Sequence, residues 1–323
     1  MGRYPSDAAC PSLALKLPWA RLRALTEVQT ITGQPPDQPS TPEDPGSEAG
    51  TPIPRKGGIA HKLVLNAARV VPLPVQRLLK RGPVGNAMRF VMDKAAPAGR
   101  REVLTVSSGL LKGTLLDVDP RKQRDMIAGT YESEVQNALA KHLKPGQIAF
   151  DVGAHLGFFT LLMARLVGDR GTVVSVEPDP FMAPKLEANL KSNHVGNVQV
   201  VRKAAGTQDG ERRFTPGAGG GIGHLADDGE IEVSATSLNR LAAQFGVPHL
   251  VKVDVEGGEL EVLAGAGDLL SSNKCTFVVE VHDGQIESEA EALFNRMDYQ
   301  VSFIQDNPSQ RLHLIASPPN PSN

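Results

Sequence analysis

From Val103 to Ile315, short runs rich in Val, Ile and Leu alternate with stretches whose apolar residues recur at helical spacing. That rhythm belongs to a parallel sheet assembled from strand–helix–strand units, an α/β fold. Val103–Val106 and Gly113–Val118 read as a hairpin, and Tyr131–Leu143 as a helix stopped by Pro145-Gly146. Strands follow at Ile148–Val152, Thr172–Glu177 and Val198–Lys203, with helices over Gly157–Val167 and Pro180–Asn193 between them. After an insertion the alternation resumes with helix Ser237–Phe245, strand Leu250–Asp254, helix Glu259–Leu270, strand Cys275–Val281 and helix Glu287–Met297. Strands Tyr299–Ile304 and Arg311–Ile315 are joined through Asn307-Pro308 without a helix, which predicts a C-terminal antiparallel hairpin.

Upstream the pattern breaks down. Gly33 to Gly58 is dense in Pro, Gly, Ser and acids and has no apolar period, so residues 1–58 are expected to be a disordered tail. Residues 59–101 mix Leu and Val with Lys and Arg and are cut by Pro72, Pro74 and Pro83, which predicts a basic helical extension. The catalytic domain is then expected over 102–317, with a short disordered tail at 318–323.

Charge sharpens this division. Residues 55–101 hold 11 Lys/Arg against one Asp/Glu, whereas residues 102–323 hold 19 against 29. The core domain is acidic, which argues against a nucleic acid held by phosphate contacts. The basic stretch is a candidate surface for an anionic membrane or an acidic partner. No run of about 18 apolar residues exists to span a membrane. Cys10 and Cys275 are isolated, so neither a disulfide framework nor a zinc site is expected, and a reducing cytoplasm fits. Hydrophobic residues make up 40% of the chain and aromatics only 4%, consistent with a core of aliphatic strands and helices.

Four places carry candidate chemistry. Asp151-Val152-Gly153-Ala154-His155-Leu156-Gly157 joins a buried strand to a helix, so its backbone N–H groups and the helix N-terminus face the ligand crevice. His155 stands where glycine is frequent, and histidine tolerates left-handed backbone better than most residues. Glu177 closes the next strand 26 residues beyond Asp151, where an acid accepts ribose hydroxyls, and Asp179 follows it into the next helix. Asp254 and Glu256 end a third strand and Glu280 and His282 a fourth, so they share the sheet edge that faces ligands; His282 is a candidate general base. Tyr131 and Glu132 open the helix ahead of the first core strand and are candidates to touch cofactor or substrate. Asp254, Glu280 and His282 have the donor types of a hard-metal site, but the spacing is unspecific and no metal is expected. The Gly217–Gly223 stretch lacks the Gly-Lys-Ser/Thr of a phosphate loop and reads as a flexible loop over the site.

At this level a nicotinamide-dependent oxidoreductase and a non-catalytic cofactor-binding scaffold remain open beside a methyltransferase. The absence of GxGxxG and the terminal hairpin count against the oxidoreductase. FDVGAHLGFFTLLMARLVG at 150–168, VVSVEPDP at 173–180 and LVKVDVEGGELEVLAGA at 250–266 recur in order, and through them the chain from Gly113 to about Ile304 resembles the FkbM family of methyltransferases. His155 replaces the usual Asn of that family's first motif, and Gly258 stands where Ala is common.

The resemblance implies a class I methyltransferase fold, a Rossmann-like, mostly parallel seven-stranded sheet. It also implies S-adenosylmethionine as methyl donor and a hydroxyl of a small molecule, sugar or polysaccharide as acceptor. By position it places Asp151, Gly153 and Gly157 at the methionine end, Glu177 at the ribose and Asp254 facing the methyl group, with Ala154, His155 and Asp179 among the cofactor-binding candidates. Glu256 and His282 complete the catalytic candidates.

Overall fold

A computed structural model of the chain describes residues 101–217, 223–305 and 312–319. The expected N-terminal tail, the basic extension up to residue 100, the middle of the glycine-rich loop and the last four residues lie outside the described residues.

Strands β3 (Ile148–Val152), β4 (Thr172–Val176), β5 (Val198–Val201), β10 (Leu250–Val253) and β11 (Thr276–Val281) run parallel, and β12 (Gln300–Gln305) and β13 (Leu312–Ser317) complete the sheet. The order is β12-β13-β11-β10-β3-β4-β5. β13 alone runs against the direction of the other six strands, folding back between β12 and β11. The chain builds outward from β3 through β4 to β5, then returns to the other side of β3 for β10. A ligand crevice opens where the two directions part, beyond the carboxyl ends of β3 and β10.

The strands read as continuous apolar runs because both faces are covered: β3 and β10 are buried almost throughout. On one face pack α2 (Ser133–His142), α3 (Phe158–Val167) and α4 (Ala183–Ser192), and the core there includes Leu139, Leu162, Met163 and Leu186. On the other pack α5 (Leu238–Phe245), α6 (Glu259–Ala264), α7 (Gly267–Ser272) and α8 (Gly284–Arg296) around Phe150, Phe277 and Phe294. Each such side chain contributes about 1.5–3 kcal/mol relative to exposure. Helix ends follow local chemistry: Asp283 caps α8 by accepting from the N–H groups of Gln285 and Ile286, and Ser237 caps α5 through Arg240 N.

Three features depart from the expected pattern. The single helix expected over Glu259–Leu270 is two, α6 and α7. Its break comes at Gly265, whose carbonyl accepts from Asn239 N instead of continuing the helix. A Cβ on Gly265 would lie 2.1 Å from Gly206 O, so the glycine admits a neighbouring loop. The insertion after β5 is a second, four-stranded sheet in the order β6-β9-β7-β8, from β6 (Ala204–Ala205), β7 (Gly210–Thr215), β8 (His224–Leu225) and β9 (Ile231–Thr236). Ahead of the core, the expected hairpin is present as β1 (Glu102–Thr105) and β2 (Leu115–Val118), followed by an unanticipated short helix, α1 (Arg124–Ala128). Among the described residues no helix is long and apolar enough to cross a membrane.

Candidate active site

The turn after β3 is built on glycine where nothing else fits. Gly153 has φ +82°, and a Cβ there would lie 1.7 Å from the carbonyl oxygen of Asp254. The turns after β3 and β10 therefore meet backbone to backbone. His155 also takes a left-handed conformation, with φ +50°. Gly157, at φ +83°, leaves room for Leu186, which a Cβ would approach to 2.3 Å. Beneath this turn Asp151 is buried: Ser175 Oγ donates to Thr160 Oγ1, which donates to Asp151 Oδ2 at 2.6 Å. Burial raises the Asp151 pKa against the pull of Lys252 and Thr160.

Glu177 closes β4 beside that turn. Its carboxylate accepts from His155 N at 2.6 Å and from Asp179 N at 2.9 Å. Burial nonetheless pushes its pKa up to about 7. Asp179 is also buried and accepts from Phe181 N and Gly217 N, tying the entry of α4 to the end of β7.

On the other side of β3 lies a dense group of charges. Lys252 on β10 is fully buried; its Nζ lies 3.0 Å from Asp254 Oδ2 and 4.8 Å from the centre of the Phe159 ring. Burial works against ionisation of Asp254, but Lys252, with hydrogen bonds from Glu280 and Lys252, brings its pKa down to about 2. Glu280 moves the opposite way, to about 8, through burial and the adjacent Asp254 charge. The two carboxyls therefore hold one proton between them near neutrality, carried on Glu280. Tyr131 packs edge-on against Phe158, and burial with the charges of Glu132 and Asp254 holds its hydroxyl well above the ordinary range.

His282 sits behind this group, with Nε2 3.0 Å from Glu256 Oε2 and Nδ1 3.0 Å from Glu259 Oε1. Desolvation opposes its charge, but the two carboxylates raise its pKa to about 10. Glu259 Oε1 also accepts from Val255 N and Gly257 N, which fixes the turn in which Glu256 adopts φ +56°.

These edges enclose a cavity of about 450 Å³, within the roughly 300–1,000 Å³ of small-molecule sites. Its wall runs from Glu177 and Asp179 past Gly153 and His155 to Asp254, Glu256 and Glu280, with Tyr131 on one side. Phe214, His224 and Leu225 of the small sheet close it from another.

Residues 151–302 match the model of the methyltransferase FkbM domain. The 31-O-demethyl-FK506 methyltransferase FkbM of Streptomyces tacrolimicus is 32% identical over 177 residues, covering 44% of this chain and 67% of that protein. The chain belongs to the FkbM methyltransferase family. The hexuronic acid methyltransferase AglP of Haloferax volcanii is 29% identical over 157 residues, covering 47% of this chain and 63% of AglP. The crystal structure of methyltransferase FkbM from Methylobacillus flagellatus KT superposes with TM-score 0.42 at 18% identity, over 58% of this chain and 51% of that one.

Of the candidate residues, Tyr131, Gly153, His155, Glu177, Asp179, Asp254 and Glu256 line the cavity. Asp151, Ala154, Gly157, Glu132 and His282 are not among the lining residues. Asp151 and Gly157 support the turn from beneath, and His282 is held between two carboxylates. Sequence reasoning gave no weight to Glu259, although a buried acid at the start of a helix after two glycines is the signal for such a turn. Nothing in the pattern announced Phe214, His224 or Leu225, because their strands are short and polar.

Proposed function

We propose that residues 102–317 form an S-adenosylmethionine-dependent O-methyltransferase domain acting on a hydroxyl of a small molecule, sugar or polysaccharide. The observation that carries this reading is one cavity reaching from Glu177 at the end of β4 to Asp254 and Glu280 at the ends of β10 and β11. With strands about 4.8 Å apart, β4 and β11 stand roughly 14 Å from each other, room for an extended cofactor with an acceptor beside it.

The residues present fit that cofactor. Glu177 offers a buried carboxylate at the cavity wall, and its two backbone hydrogen bonds leave lone pairs for a pair of ribose hydroxyls. His155 lines the wall with an Nε2 that is buried and has no hydrogen-bond partner among the described residues. Gly153 keeps the wall bare between the two ends. S-adenosylmethionine supplies, when bound, a methyl group on a sulfonium that an acceptor oxygen attacks in line.

The protein contributes mainly alignment, and proton removal is the smaller effect. Asp254, kept ionised by Lys252, orients the acceptor hydroxyl and takes its proton, with Glu280 as the neighbour that shares it. His282, already protonated at neutral pH, is a support for the Glu256 turn rather than the base. The acidic lining suits a neutral polyhydroxylated acceptor better than an anionic one; of the relatives, one is named for 31-O-demethyl-FK506 and one for hexuronic acid.

Titration calorimetry with S-adenosylhomocysteine tests the cofactor end: Glu177→Ala is expected to lose at least tenfold in affinity, and an unchanged affinity removes the ribose role. Incubation with methyl-labelled S-adenosylmethionine and a lysate fractionated by size tests the acceptor. Label confined to protein or nucleic acid would overturn the small-molecule or carbohydrate reading.

A further inference from the structure

Beyond the Asp254 side of the cavity, three side chains from distant parts of the chain converge. Glu280 on β11 and His313 on β13 are directly opposite one another in the antiparallel register, so their side chains share a face. Glu132, from the entry to α2, reaches the same point. His313 Nε2 lies 3.3 Å from Glu132 Oε2 and 3.9 Å from Glu280 Oε2. One ligand atom from each of the three lies within 4.8 Å of the other two.

The His313 side chain is 4% exposed, and although its Nε2 and Glu132 Oε2 approach to 3.3 Å, neither atom makes an aligned hydrogen bond among the described residues. Burying polar atoms of this kind without an aligned hydrogen bond is costly. We propose that Glu132, Glu280 and His313 bind a divalent transition-metal cation, of the Mn²⁺, Fe²⁺ or Zn²⁺ class.

Two donors each roughly 2.0–2.2 Å from one ion cannot stand more than about 4.4 Å apart. Both distances from His313 meet that limit, and the Glu132 and Glu280 atoms lie within 4.8 Å of each other. Once Glu280 releases on binding the proton it holds beside Asp254, two carboxylate oxygens with one imidazole nitrogen suit these ions better than Ca²⁺, which takes a shell of oxygens. The related grouping of Asp254, Glu280 and His282 is less apt, because both nitrogens of His282 already face Glu256 and Glu259. Three protein ligands leave positions open. Glu280 also lines the cavity, so an open position there gives the ion a route to an acceptor oxygen and offsets the negative charge of that end.

The site is tested without any methyl acceptor. Full-length protein stripped with a chelator is titrated with MnCl₂, ZnCl₂ and MgCl₂, followed by calorimetry and, for manganese, by electron paramagnetic resonance. Wild type is expected to bind one equivalent of Mn²⁺ or Zn²⁺ more tightly than Mg²⁺. Glu132→Gln and His313→Gln should each weaken this at least tenfold while S-adenosylhomocysteine affinity, set at the Glu177 end, stays within twofold. That second measurement confirms folding of each variant. If wild type binds no stoichiometric metal, or if folded His313→Gln binds as well as wild type, the site does not exist. Neither result bears on methyl transfer itself.

Discussion

The backbone N–H of His155 donates to Glu177 Oε2 at 2.6 Å, so the turn after β3 and the acid that ends β4 are set against each other before any ligand arrives. Burial has raised Glu177 to about 7, and the ionised form is the stronger acceptor for ribose hydroxyls. Affinity for S-adenosylhomocysteine should therefore rise with pH, the dissociation constant falling about tenfold between pH 6 and pH 8 if only the ionised form binds. Calorimetry across that range checks it, and Glu177→Gln should flatten the dependence.

Gly153→Ala should damage the fold rather than the chemistry alone. The new Cβ would lie 1.7 Å from Asp254 O at a residue with φ +82°, combining backbone strain with overpacking, each of roughly 1–3 kcal/mol. Denaturant unfolding should show the loss. Gly267→Ala, at the first residue of α7 with nothing within 4 Å of the added atom, is the matched control and should be neutral or stabilising.

Lys252 is buried against Asp254, which is only partly exposed at the cavity wall, so removing one partner strands the other. Lys252→Met should cost about 3–5 kcal/mol of stability. Asp254→Asn leaves a neutral hydrogen-bonding group of similar shape. It is expected to keep S-adenosylhomocysteine affinity within a few fold while lowering kcat at least a hundredfold. An Asp254→Asn enzyme with full turnover would take the proton-accepting role away from this residue.

His282 should reveal itself in stability. Its pKa is raised from 6.5 to about 10, so the folded state holds the proton more tightly than the unfolded chain. The stabilisation is complete below pH 6.5 and fades as pH rises toward 10. His282→Ala should be less stable than wild type by roughly 1.5–3 kcal/mol at pH 6.5, and that gap should narrow steadily by pH 10. Thermal unfolding at several pH values measures it; a gap independent of pH would mean the ring acts only by packing.

Much of this molecule was legible in one dimension because its signals are local. A buried parallel strand is a run of apolar residues, as at 148–152 and 250–253, and the glycines at 153 and 157 mark a backbone that must turn tightly. The order of strands and helices, the hairpin at the C-terminus and the candidate acids at strand ends all follow from such neighbour-to-neighbour patterns. The second sheet was not legible, since β6 and β8 span two residues each and gain their shape only by pairing with β9 and β7.

The chemistry of the site divides the same way. Sequence by itself determined that Asp254, Glu280 and His282 lie at one edge, because strand direction and alternation put them there. Which of them is charged, and which is free to act, was decided by what lies across from each in space. Lys252 sits beside Asp254, Glu256 and Glu259 grip His282, and His313 reaches Glu280 only because β13 runs antiparallel in that register. Ionisation and ligation depend on separations of a few ångströms between residues dozens of positions apart, and only the folded chain sets those distances.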